Sequence, residues 1–107
     1  MLGEIMSSIT KILGTKIRAL RNRRGLTQAE LAEKADLTPE HLSKLENGHV
    51  EGVEYATVVR LAKVFGIKTS LLADEEITVE AIKTLDIVAE ALEVQKGMYG
   101  KKNKSIK

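Results

Sequence analysis

The chain has 107 residues and no cysteine, and its 17 Lys/Arg against 15 Asp/Glu give a formal net charge of +2. This length supports one small domain with an appended element, and the lack of thiols excludes disulfides and suits a reducing cytoplasm. Neither a signal peptide nor an apolar run long enough to cross a bilayer is recognisable, so we expect a cytoplasmic protein without membrane contacts.

A first helix is predicted from about Ser8 to Arg24, after a flexible N-terminus of residues 1–8. Apolar residues recur there at helical spacing, and Gly25 stands where the C-cap of a helix belongs. Residues 1–26 carry six Lys/Arg against one Glu. This local excess indicates the electrostatic footprint of a nucleic-acid binder, and a solvated basic helix face is the alternative.

The segment 28–48 has the pattern of a helix-turn-helix. Thr27, followed three residues later by Glu30, forms a capping box at which a second helix begins. Thr38 can cap a third helix with Pro39 at its first position, where the missing N–H does no harm. Such a unit joins two short helices at a fixed angle, and its second helix enters the major groove of duplex DNA.

The turn between these helices carries residues suited to a tight connection. Asp36 occupies the position where the backbone is expected to need a positive φ, which Asp tolerates better than most residues. Ala32 is small where the two helices must approach each other. Four leucines are expected to share one core: Leu31, Leu37, Leu42 and Leu45. An ordinary helical hairpin is the alternative, but these features together favour the helix-turn-helix.

Three further helical segments are predicted. One runs from about Tyr55 to Phe65 and ends at Gly66, a second is a single turn over 69–72, and a longer amphipathic helix spans about 77–96. The expected organisation is a flexible N-terminus (1–8), a helix-turn-helix domain (9–73), a C-terminal helix (74–98) and a lysine-rich flexible tail (99–107).

The stretch from about Leu13 to Leu72 resembles the phage repressor and Cro type of helix-turn-helix domain, the XRE family. The resemblance rests on IRALRNRRGLTQAELAEKADLTPEHLSKLENG, then on VVRLAKVFGI and SLL. It implies an all-α fold, a five-helix repressor-like domain that is followed here by the C-terminal amphipathic helix. It also implies a sequence-specific transcriptional regulator, most simply a repressor, that binds double-stranded DNA.

The resemblance implies roles for residues outside the third helix. Gln28 matches a position that holds a phosphate oxygen, and Arg18, Arg21 and Asn47 match positions near the DNA backbone. Arg21 and Glu46 match an internal ion pair that ties the first helix to the third. A loose surface bridge is the alternative for that pair. We favour the structural pair, because removing one partner would leave a partly buried charge.

Base contacts are expected from the exposed face near the start of the third helix: Thr38, Pro39, Glu40, His41, Ser43 and Lys44. Lys44 can donate to guanine O6 and N7, Glu40 can accept from cytosine N4, and the Thr38 methyl can touch a thymine methyl. Several members of the family carry glutamines where this chain has Pro39 and Glu40, so their operator sequences do not transfer. The loop HVEGVE that follows Gly48 is acidic, which disfavours phosphate attraction there.

The composition offers no support for catalysis, a metal or a cofactor. His41 and His49 are the two histidines, and a zinc site would need several more ligands at suitable spacing. No Ser–His–Asp or Cys–His arrangement and no glycine-rich phosphate loop is present. The aromatic residues number three, which argues against a protein that stacks single-stranded DNA or RNA bases.

The C-terminal helix carries a broad apolar stripe that must be covered: Val79, Ile82, Leu85, Val88, Ala89 and Leu92. Folding back onto its own domain is one solution, and pairing with the same helix of a second subunit is the one we favour. A homodimer would place two recognition helices one DNA turn apart on an inverted-repeat operator. We expect control by a regulatory protein partner, by proteolysis or by the protein's own concentration. The alternative function is a protein-interaction or coactivator module without sequence-specific DNA binding.

Overall fold

The computed structural model describes the backbone of residues 2–106 and the side chains of residues 9–92. The described residues form six helices and no strand: α1 (Leu2–Arg23), α2 (Gln28–Lys34), α3 (Pro39–Glu46), α4 (Tyr55–Phe65), α5 (Thr69–Ala73) and α6 (Val79–Ile106). The all-α class is confirmed. The first five helices make the compact domain that contains the helix-turn-helix, and α6 packs mainly against α1.

The two terminal helices are longer than the sequence patterns predict. α1 begins at Leu2 instead of near Ser8, and α6 continues through Gly97 and Gly100. A glycine keeps its backbone N–H and costs only about 1 kcal/mol within a helix, which is too little to end one. The flexibility predicted for 1–8 and 99–107 stays a prediction, because the side chains there lie outside the described residues. The division of the chain near residue 74 also stays a prediction.

The caps that begin α2 and α3 form as the sequence predicts. The Glu30 amide donates to Thr27 Oγ1 at 3.1 Å, and the Thr27 amide donates to Glu30 Oε1 at 2.9 Å. The hydrogen bond with the Thr27 backbone is the larger cause that lowers the pKa of the Glu30 carboxyl, and the hydrogen bond with the Thr27 side chain adds to it. Thr38 Oγ1 accepts from the His41 amide, and Asp36 takes a φ of 57° in the turn. These local contacts fix where both helices begin and how the chain turns between them.

All six helices contribute to one core of fourteen buried apolar residues. Leu31, Leu42 and Leu45 of the helix-turn-helix are fully inside it, whereas Leu37 packs against its edge. α1 crosses α3 at Gly14, where a Cβ would come within 2.2 Å of the Leu45 carbonyl oxygen. Because glycine has no side chain, the two helices can approach until backbone meets backbone. This crossing holds α3 rigidly on α1.

Candidate nucleic-acid interface

The face of α3 opposite the core is open to solvent at its N-terminal half. Thr38, Pro39, Glu40, His41 and Lys44 are exposed and Ser43 is half-buried, so all six predicted base-contact residues lie on or beside this face. Glu40 and Lys44 form an ion pair at 3.6 Å, with the two side chains 82% and 57% exposed. An exposed pair of this kind stabilises little in water, so both groups remain free to bind DNA bases instead.

Glu46, on the inner side of α3, is the centre of a polar network. Its carboxylate is fully buried and accepts two hydrogen bonds from Arg21, at 2.7 Å from Nε and 3.0 Å from Nη2. Gln28 Nε2 donates to the same carboxylate at 3.0 Å, and Arg18 Nε lies 3.5 Å away. The bidentate geometry is the strong form of an Arg–carboxylate contact. The structure therefore brings Arg21 and Glu46 together and adds two partners that the sequence did not indicate.

The residues expected near phosphates all join this network, but they differ in how accessible they are. Arg18 is half-exposed and donates from Nη2 to Asn47 Oδ1, while Asn47 Nδ2 donates to the Ser43 carbonyl. Gln28 is partly buried. Arg21 also donates to the Leu26 carbonyl at 2.9 Å, so little of its guanidinium faces solvent. Arg18 and Asn47 are therefore accessible at the edge of the network, Gln28 is partly accessible, and Arg21 mainly supports the contact between α1 and α3.

A buried lysine that the sequence analysis missed supports the domain from the other side. Lys16 Nζ donates to the carbonyls of Leu71, Leu72 and Asp74, at 3.1, 3.4 and 2.7 Å. These acceptors lie at the end of α5, where helical carbonyls lack partners within the helix. Burial lowers the pKa of Lys16, and the Asp74 and Glu75 carboxylates act against that shift. The sequence signal that could have revealed the burial of Lys16 is its place three residues after Leu13, on the apolar face of α1.

A second missed residue, Asp86, links α6 to the end of α1. It is buried and accepts from Arg23 Nε at 2.9 Å and from Arg24 Nη2 at 2.8 Å. Burial by itself would raise the pKa of Asp86, but the hydrogen bonds from Arg24 and Arg23 outweigh it and hold the pKa below its usual range. The hydrogen bond to Asp86 raises the pKa of Arg23. Arg23 and Arg24, two of the four arginines in residues 1–26, therefore bind α6 and do not form an open anion-binding surface.

The apolar stripe of α6 divides between two environments. Ile82 is 1% exposed and belongs to the core of its own domain, so its assignment to a dimer surface is wrong. The reason is that Ile82 lies in the part of α6 that packs on α1. Val79 is half-buried and Ala89 is exposed. Leu85, Val88 and Leu92 remain 48%, 49% and 57% exposed, so the domain covers the stripe at Ile82 and leaves these three side chains open to solvent.

No group of three or more His, Cys, Asp and Glu side chains among the described residues is arranged to hold a metal ion. No helix in the described range is both long and apolar enough to span a membrane.

Comparison with known proteins places residues 17–72 in the family described as "Helix-turn-helix". The transcriptional regulator RamB of Mycobacterium tuberculosis is 33% identical over 66 residues, which are 62% of this chain and 14% of that protein. The immunity repressor of Bacillus phage phi105 is 36% identical over 64 residues, 60% of this chain and 44% of the repressor. The competence pilus inhibition repressor of Acinetobacter baylyi is 38% identical over 58 residues, which are 54% of this chain and 52% of that repressor. The chain thus spans at most about half the length of these relatives.

Solved structures give the same fold. A crystal structure of the clp gene regulator ClgR from Corynebacterium glutamicum is 28% identical with a TM-score of 0.56, and the match covers 63% of this chain and 86% of that one. A second ClgR structure is 22% identical with a TM-score of 0.59, and it covers 84% of this chain and 93% of that one. The second match supports the fold alone.

Proposed function

The chain belongs to the XRE-type helix-turn-helix family of DNA-binding transcription regulators, and on this premise we propose that it is a repressor that binds a specific operator as a homodimer. The observation that carries the proposal is the open face of α3, with six polar or small side chains outward and the buried Glu46 network behind them. A helix that is exposed on one face and fixed on the other is suited to entering the major groove.

Base contacts in this proposal come from the outer face of α3. Lys44 donates to guanine O6 and N7, Glu40 accepts from cytosine N4, and Thr38 places its methyl group against a thymine. Because Glu40 and Lys44 lie 3.6 Å apart, the bases that they contact are neighbours in the groove. Pro39, His41 and Ser43 complete the same surface and contribute to its shape.

Phosphate contacts come from the residues held at the edge of the Glu46 network. Arg18 already donates to Asn47, and Gln28 already donates to Glu46, so little side-chain order has to be created on binding. These contacts orient the domain on the duplex without selecting a sequence. Neutralised phosphates release counterions, so affinity should fall steeply with added salt.

The dimer contact in this proposal is the exposed side of α6. Three of the five exposed large hydrophobic side chains among the described residues lie on one side of this helix: Leu85, Val88 and Leu92. A cluster of this kind on a soluble protein marks an interaction surface. A second copy covers it symmetrically and places the two α3 helices about 34 Å apart, one turn of DNA.

One feature favours a second candidate function, a protein-interaction module on the same fold. Glu40 on the recognition face is 82% exposed, and Glu51 and Glu54 in the following loop are also exposed. Carboxylates at these places repel phosphates and suit a basic protein partner. A regulatory protein that binds this surface would also be compatible with the repressor function.

The proposed function is tested by selecting bound duplexes from a random library with the intact protein. We expect an enriched inverted repeat, and Glu40→Ala and Lys44→Ala each to relax one position of its half-site. Lys63→Ala is the matched control, because Lys63 is exposed on α4, away from α3. A pool without enrichment, with binding that vanishes at physiological salt, would favour the interaction module.

The dimer is tested separately by sedimentation. Leu85→Asp and Leu92→Asp should each give a monomer with much weaker operator binding. Ile87→Asp is the control: Ile87 is 52% exposed, but it lies about 200° round the helix from Leu85, so the mass should stay that of a dimer. An unchanged mass for both Leu85→Asp and Leu92→Asp would contradict the proposed interface.

A further inference from the structure

Four charged side chains connect α6 to the rest of the domain, and we call them the clasp: Arg23, Arg24, Asp86 and Glu90. Asp86 accepts from both arginines, and Glu90 accepts from Arg23 Nη2 at 2.7 Å. Arg24 Nη2 also donates to the Phe65 carbonyl at the end of α4, and its guanidinium lies 5.7 Å from the centre of the Phe65 ring. The clasp therefore joins α6 to α1 and, through Arg24, to α4.

Apolar packing holds α6 near its first turns and leaves its later part to other contacts. Among the described residues of α6, Ile82 is the one that enters the core. A cleft of about 720 Å³ lies between α6, the end of α1 and the segment after α4, and Leu85 and Ala89 line it together with all four residues of the clasp. One buried side chain is a point about which a helix can pivot. Asp86, one turn further along, supplies the second fixed point, and two points define a direction.

The clasp is mechanically connected to the recognition helix through α1. Arg23 and Arg24 lie at the C-terminal end of α1, whereas Gly14 in its middle is in backbone contact with α3. Arg21, near the same end, binds Glu46 of α3. α1 and α3 therefore move as one body, and the angle between α6 and α1 sets the angle between α6 and α3.

We propose that Asp86 is a positioning residue that sets the distance between the two operator half-sites bound by the dimer. This inference rests on the proposed function, because it assumes two copies joined through α6. The residue does not touch DNA in this scheme. It acts by fixing the direction in which each recognition domain extends from the shared α6 contact.

A small rotation at the clasp is enough to change that distance. The part of α1 from Gly14 to Arg23 is roughly 14 Å long at 1.5 Å per residue. A rotation of about 15° over this length displaces α3 by about 3.5 Å, close to the rise of one base pair. Loss of the Asp86 carboxylate should therefore let the dimer accept neighbouring spacings.

The experiment uses duplexes that carry two copies of the selected half-site in inverted orientation, separated by spacers of every length up to one helical turn. The wild type should bind mainly duplexes with one spacing. Asp86→Ala should spread over neighbouring spacings, with the preference for the best one reduced about tenfold, the scale of losing one charged hydrogen bond. Affinity for a single half-site, and the base preferences within it, should stay unchanged because α3 is intact.

Three variants separate positioning from a general structural effect. Asp86→Glu keeps the carboxylate and should again select one spacing, although the longer side chain can shift it. Glu80→Gln makes the same charge change as Asp86→Asn on an exposed part of α6, where Glu80 faces only Lys83 at 3.8 Å. Its spacing preference should match the wild type, whereas that of Asp86→Asn should be broad.

The outcomes distinguish this inference from the proposed function. If the wild type enriches no inverted repeat at any spacing, the proposed function itself fails. If the wild type selects one spacing and Asp86→Ala selects it equally sharply, the positioning role is overturned. Should Asp86→Ala fail to fold, Asp86→Asn, which keeps the shape of the side chain without its charge, takes its place in the same spacing assay. A spacing distribution for Asp86→Asn as narrow as that of the wild type would then overturn the inference.

Discussion

Glu46 and Asp86 are two buried carboxylates, each bound by arginines of α1, but they lie in different surroundings. Glu46 lies where α1, α2 and α3 meet, beside the fully buried leucines of the core. Asp86 lies at the edge of the domain, on a helix with one of its described side chains in the core and a cleft beside it. The first network is surrounded by packing on several sides, whereas the second borders the cleft.

This difference shows how similar ion pairs can have different consequences. Within a packed core the pair must be satisfied, because an unpartnered buried charge is costly. At the edge of a domain a carboxylate can become hydrated when its partners move away. Asp86 therefore fixes the direction of α6 more than it stabilises the fold. The recognition domain should therefore respond to mutation as one rigid unit, and α6 as an element that can be displaced from it.

The largest effect is expected at Glu46. Glu46→Ala should lower the free energy of unfolding by about 3–5 kcal/mol, because Arg21 stays mostly buried without its carboxylate and Gln28 loses its acceptor. Urea unfolding of the purified protein measures this. Glu33→Ala, on the exposed side of α2, is the control and should change stability by less than about 0.5 kcal/mol. If Glu46→Ala lowered the free energy of unfolding no more than Glu33→Ala does, the contrast between Glu46 and Asp86 would be contradicted.

The next effect concerns Ile82, the one core residue among the described side chains of α6. Ile82→Ala should cost about 2 kcal/mol, the low end for an Ile-to-Ala change, because α6 can shift to close the cavity. Hydrogen exchange should show faster exchange of α6 amides while α2, α3 and α4 keep their protection. Ile87 is an exposed residue of the same helix, so Ile87→Ala should leave both the stability and the hydrogen exchange of α6 unchanged. Equal loss of protection in α3 would show that α6 and the recognition domain unfold as one unit.

A smaller effect is expected at the crossing of α1 and α3. Gly14→Ala should destabilise the protein by roughly 1–3 kcal/mol, because the added methyl would lie 2.2 Å from the Leu45 carbonyl oxygen and must push the helices apart. Gly52→Ala, which meets no atom within 4 Å, is the matched control in thermal unfolding. A gain of about 0.5–1 kcal/mol at position 14, as expected for a glycine on an open helix face, would contradict the close crossing.

The smallest effect is a pH dependence at the clasp. The pKa of Asp86 is lowered in the folded state, so its contribution is fully present above the unfolded value of about 3.9 and is lost as the pH falls through the lowered folded value. Unfolding free energies measured from pH 6 down to pH 2 should therefore decrease below about pH 4. The decrease should be shallower in Asp86→Asn. Parallel curves for the two proteins would mean that the arginines do not hold this carboxylate ionised.

Features that depend on neighbours within a few residues were predictable from the sequence. The capping box at Thr27 and Glu30, the cap at Thr38 and the positive φ of Asp36 each follow from local geometry, and each is present. The exposed face of α3 follows from the spacing of its leucines. The ends of α1 and α6 were placed wrongly, because glycine and weak periodicity lower helix propensity without setting a boundary.

Features that depend on contacts across the fold were decided only by the tertiary structure. Lys16 meets its acceptors at Leu71 to Asp74, more than fifty positions along the chain, and Asp86 meets Arg23 and Arg24 at a similar separation. Apolar periodicity shows which side of α6 must be covered, but it does not say which surface covers it. Ile82 is covered by its own domain and Leu92 is not, because α6 leaves the domain between them. A charge in a sequence likewise has no partner until packing brings one within reach.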